Sequence, residues 1–151
     1  MKEKIVLLMG FIAVHGCGEG ESSHRSEPGP PEVNVVVDDG RDWSNDPYVV
    51  NSATIDGHLL TIEVSFGGGC RRHDFTLVFS ETFRESDPVQ LSAVLAHDAN
   101  GDPCEAYLTE HHVFDLTPVR MRYQKFYGLA SAQVALQIAG VTGDDLLYQF
   151  D

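Results

Sequence analysis

Between positions 70 and 104, seven residues have the types and spacing of a candidate site: Cys70, His73, His97, Asp98, Asn100, Asp102 and Cys104. Cys70-Arg71-Arg72-His73 has the C-x2-H spacing of a metal site, and His97 with Cys104 would complete a Cys2His2 zinc set. That chemistry needs both thiolates free of each other. Asp98-Ala99-Asn100-Gly101-Asp102 places oxygen donors at alternate positions with Glu105 near, as in the first half of a calcium loop. Its glutamate comes too early for an EF-hand, and the same residues make an ordinary polar hairpin tip. Acid–base work would fall to His73, His97 and Asp98, as a hydrolase or a metal-dependent enzyme would use them. His111-His112 adjoins Glu110 and Asp115, but adjacent strand residues face opposite sides and cannot all converge. The chain has no nucleophile elbow, zinc-protease motif or phosphate loop. We therefore assign no catalytic residue and expect no cofactor. A last candidate is basic: Arg120, Arg122 and Lys125 on one helix, a possible docking point for an anionic group. Pairing with nearby acids is the alternative role for that face.

The compartment decides between zinc and a cross-link, and the N-terminus speaks to compartment. Lys2 and Lys4 precede an apolar run, Ile5 to Val14, too short to span a bilayer at about 20 residues. This is the pattern of a secretory signal peptide. The run ends in Val14-His15-Gly16-Cys17. Those four residues resemble the lipobox of bacterial lipoproteins, whose cysteine is lipidated and becomes the mature N-terminus. Gly16 and Cys17 fit the pattern, whereas His15 departs from it. The resemblance covers residues 1–17 only and implies sorting, not activity. It implies a lipid on Cys17 and a domain held to a membrane in an oxidising, extracytoplasmic compartment. Gly18 after Cys17 further resembles the sorting context of outer-membrane lipoproteins, where the source has such a membrane. In that setting Cys70 and Cys104 are an isolated even pair, and a disulfide between them is expected.

Length and charge bound the rest. At 151 residues one domain is expected. Removing residues 1–16 takes away Lys2, Lys4 and Glu3 and leaves 8 basic and 22 acidic side chains, a balance of −14. Nucleic acid is a poor partner for such a surface. Attachment to a membrane must come from the lipid. The expected partners are that membrane and a protein or another envelope component.

Residues 17–46 read as the lipidated cysteine and a flexible acidic tether, rich in Gly, Ser and Pro. Val35-Val36-Val37 within it has the composition of a short edge strand, and Trp43 is expected to cover one end of the core. Residues 47–151 read as a single β domain. Asp56-Gly57 signals a hairpin that would pair Val49 with Val64, Asn51 with Ile62 and Ala53 with Leu60. Leu60, Ile62, Val64 and Phe66 alternate with polar residues, as do Phe75, Leu77 and Phe79 in a following strand. Gly67-Gly68-Gly69 is expected to let the chain turn so that Cys70 reaches its partner. Asn100-Gly101 signals a second tight turn, which would set His97 opposite Cys104. Thr117-Pro118 opens a helix as N-cap and first residue, and Gly128 ends it. Two alternating strands, Ala132–Ile138 and Leu146–Phe150, close the chain. The fold class expected is mainly β, an antiparallel sandwich or barrel-like domain with one short helix and one disulfide. Three functions fit: a membrane-anchored binding or envelope-structural module, an enzyme using His73, His97 and Asp98, and a calcium-stabilised carbohydrate-binding or adhesion module.

Overall fold

A computed structural model describes residues 34–141 and 146–151. Residues 1–16, Cys17, the first part of the tether and the Gly143-Asp144 turn lie outside the described residues. Eight strands and one helix follow in order: β1 (Val35–Val37), β2 (Tyr48–Asp56), β3 (Leu59–Gly68), β4 (Asp74–Phe79), β5 (Val89–Asp98), β6 (Ala106–Asp115), α1 (Thr117–Tyr127), β7 (Ala132–Ile138) and β8 (Leu146–Phe150). They form a five-stranded sheet, β1-β4-β5-β7-β8, and a three-stranded sheet, β2-β3-β6. The described residues are thus mainly β in two sheets with one helix, and among them the sheets do not close into a barrel.

The alternation expected of β3 is present. Leu60, Ile62, Val64 and Phe66 are buried and meet Phe75, Leu77, Phe79, Leu91 and Leu95 from the larger sheet. Burial of such side chains at about 25 cal/mol per Å² of apolar area is what holds the sheets face to face. Val119 and Tyr123 of α1 join the same core, and Gly128 caps the helix in the left-handed conformation at φ 69°. The N-cap is Leu116, one residue before the expected Thr117, and it makes no side-chain capping bond.

Three expectations change. The larger sheet is mixed, because β1 runs parallel to β4 and β5 parallel to β7. Packing also begins before Pro47: Val35–Val37 extends β4 along its open edge, and Asn45 bridges to His97. The β2–β3 register is displaced as well. Asp56 pairs with Leu59, so the loop residues are Gly57 and His58. Gly57 takes the first loop position at φ 57°, where a II′ turn wants glycine. Farther back the pairing steps from Val50–Val64 to Ser52–Glu63, which makes Asn51 the extra residue of a bulge. The bulge reverses the alternation, so Val49 is exposed while Val50, Ala53 and Ile55 pack against the core. Asn51 instead turns its amide to buried Ser65, which also bonds Thr109.

Candidate functional site

The candidate site lies where the chain passes from one sheet to the other. β5 ends at Asp98 and the turn Asn100-Gly101 follows, both residues at positive φ (53° and 63°) as a type I′ turn requires. Asp102 N–H donates to the Ala99 carbonyl at 3.0 Å, closing that turn. The hairpin goes no further. β6 pairs with β3 in the smaller sheet, so His97 lies opposite Phe75 and not opposite Cys104. The disulfide Cys70–Cys104 spans this corner, with Cys70 exposed and Cys104 half-buried. A zinc set is therefore unavailable in this state, because the two sulfurs are bonded to each other and carry no thiolate charge.

Beneath the corner His73 and His97 meet. His73 is 8 % exposed and His97 is 1 % exposed, and their rings bond through His73 Nδ1 and His97 Nε2 at 2.8 Å. The outer nitrogens are also occupied. His97 Nδ1 lies 3.1 Å from the Asp46 carbonyl, and His73 Nε2 lies 3.2 Å from Asp102 Oδ2. Aromatic rings enclose the pair. Phe75 stacks on His97 at 4.2 Å between centroids, and Phe66 lies 4.5 Å from His73. Tyr48 meets His97 edge-on at 5.7 Å and anchors its hydroxyl on the Leu95 carbonyl. Burial pushes His97 below its ordinary pKa, against the raising effects of the Asp46 carbonyl bond and the charges of Asp46 and Asp98.

Asp102 ties this pair to the cross-link. Its Oδ2 accepts the backbone N–H groups of Gly69, Cys70 and Arg71 at 2.8, 2.9 and 2.9 Å, and its Oδ1 accepts that of Cys104 at 2.9 Å. One carboxylate thus binds the backbone of both disulfide cysteines. These bonds, led by that of Cys104, hold Asp102 well below the usual carboxylate range. The glycine run has a second role here. A Cβ on Gly68 would come within 2.5 Å of His73 Nε2 and 3.0 Å of Asp102 Oδ2. Gly68 therefore clears the space in which the His73–Asp102 bond forms.

The other candidates are placed differently. The two histidines named as an acid–base set are together, but Asp98 is not their acid: its Oδ1 accepts from Asn100 N and its Oδ2 from Ser44 Oγ. The acid on the pair is Asp102. The oxygens of the calcium candidate do not share a centre. Asp98 faces Ser44 and its own turn, Asn100 donates to Arg72 O and Asp74 Oδ2, and Asp102 is filled by N–H groups. Arg120 and Arg122 are half-buried, and Arg122 donates to the Glu81 carbonyl; Lys125 is exposed. The three cations therefore do not present one open basic surface. Trp43 is half-buried under the Arg41 guanidinium, 4.0 Å above its ring, beside a cleft of about 220 Å³ that Asp74, His97 and Asp98 also line.

No family model matches the chain, and no curated protein matches it. Among solved structures it is similar to a NigD-like immunity protein from Bacteroides caccae, at 16% identity and a TM-score of 0.57. The match covers 78% of this chain and 58% of that one, so the chain spans under two thirds of that protein. A candidate lipoprotein from Bacteroides fragilis aligns over 78% of this chain and 69% of its own, at 12% identity and a TM-score of 0.47. At these identities the likeness to the immunity protein concerns the fold alone. The disulfide fits an extracytoplasmic location.

Proposed function

We propose that this chain is an exported lipoprotein, anchored through a lipid on Cys17, whose two-sheet domain is a binding or envelope-structural module rather than an enzyme. The observation that carries the reading is how His73, His97 and Asp102 are used. The rings bond a backbone carbonyl, each other and a carboxylate, and that carboxylate binds the backbone at both cysteines. Groups that would serve an active site are spent on fixing the corner between the sheets. The Val14–Cys17 sequence and the extracytoplasmic cross-link support the anchored location, on the outer membrane where the source has one. The likeness to an immunity protein suggests that the bound partner is another protein. The balance of −14 after residue 16 argues against nucleic acid.

Photo-crosslinking in intact cells tests the binding role. Crosslinkers placed singly at Tyr107, Met121, Phe126 and Leu129, exposed by 72%, 62%, 63% and 54%, should give one discrete protein adduct from a restricted subset of positions. Equal, diffuse labelling at all four would contradict a specific partner. Hydrolytic turnover lost in His73→Gln, with no adduct at any position, would replace this reading by the enzyme one.

A further inference from the structure

The His73–His97 pair has three hydrogen bonds to fill, and both ends of the chain of bonds are acceptors. The Asp46 carbonyl has no proton to give, so His97 Nδ1 must carry one. Asp102, which accepts N–H groups on both oxygens, is ionised and equally unable to donate, so His73 Nε2 must carry one. A third proton lies between His73 Nδ1 and His97 Nε2. Two neutral imidazoles hold two ring protons, whereas this arrangement holds three. We propose that His73 and His97 share one extra proton, which latches the corner at neutral pH, and that acid opens the latch by adding a second.

His73 turns Nε2 to Asp102 and lies against the face of Phe66, surroundings that favour a cation. His97 stays neutral, donating from Nδ1 and accepting at Nε2, which agrees with the effect of its burial. Charged and titratable groups face the pair from each side. Asp46 precedes β2, Tyr48 lies on β2, Asp98 ends β5, Asp102 follows the turn, and the His112 ring of β6 lies tilted against Phe75 at 4.3 Å. The acids favour one positive charge on the pair. A second proton would put N–H groups on both sides of the His73–His97 contact and leave no acceptor between them.

The direction with pH follows. His97 is depressed in the folded state, so the stability it contributes is complete above its unfolded value of about 6.5 and is lost as pH falls below that. Asp102 is also depressed, so its contribution is complete above about 3.9 and is lost only at lower pH. Acid thus acts first on the histidine pair and later on the carboxylate.

Nitrogen NMR of the histidine rings in the full mature chain tests this. At pH 7 three of the four ring nitrogens of His73 and His97 should carry protons, with His97 Nε2 the bare one. Between pH 7 and pH 5 the backbone N–H groups of Gly69, Cys70 and Arg71 should exchange faster than the intrinsic pH dependence allows. The urea midpoint should also fall over that interval in wild type and much less in His97→Gln. Two singly protonated rings at pH 7 would overturn the proposal. So would a wild-type midpoint flat to pH 5. If His97→Gln does not fold, the wild-type nitrogen spectrum decides alone.

Discussion

Replacing Cys70 and Cys104 together by alanine is expected to lower the stability of the domain by about 3–4 kcal/mol in the chain-entropy model, given the sequence separation of 34. The effect acts mainly on the unfolded chain, which gains the freedom that a closed loop denies it. The native corner should survive, because Asp102 still binds the backbone of both positions. Urea denaturation measures the loss, and chelators should change nothing in wild type. Thiols in native, envelope-purified protein should resist alkylation until reduced. Two thiols alkylated without reduction would end the disulfide account. Unfolding by a chelator would restore the zinc one.

Asp102→Asn is expected to be the most damaging change of a single polar side chain. An amide keeps the shape but presents N–H2 on one side, where every neighbour is already a donor. The Gly69, Cys70 and Arg71 N–H groups and the His73 ring all converge on Oδ2. Whichever way the amide turns, donors face a donor or lose the negative charge that held them. The urea midpoint at pH 7 should fall far below that of an exposed-acid control such as Asp56→Asn. The His73–Asp102 hydrogen bond should also weaken, visible in the nitrogen shifts of the histidine pair. A midpoint equal to the control's would show that Asp102 is an ordinary loop residue.

Much of the scaffold is legible in the residue pattern, because it is written locally. The β3 alternation, the Asn100-Gly101 turn, the Gly128 stop and the strands Ala132–Ile138 and Leu146–Phe150 each follow from period or backbone preference. What joins distant segments is not written locally. Nothing in Val89–Asp98 says that its neighbour is the parallel strand β7, which sets Val134 against Val89. The Asn51 bulge is invisible until β3 is set beside it, and it moves Val49 from core to surface. Asp102 shows the same limit at the site. In sequence it is an acid after a turn, a plausible cation ligand; only the fold brings four N–H groups and a histidine to it. Gly68 had a signal, a glycine run five residues before a histidine, but its meaning depends on where that ring lies.

Detergent-phase partitioning of the full-length protein made in a bacterium tests most directly the proposal that a lipid on Cys17 holds this two-sheet domain at a membrane. Wild type should enter the detergent phase and Cys17→Ser the aqueous phase, with the same urea midpoint for both. Equal partitioning of the two proteins would contradict the account.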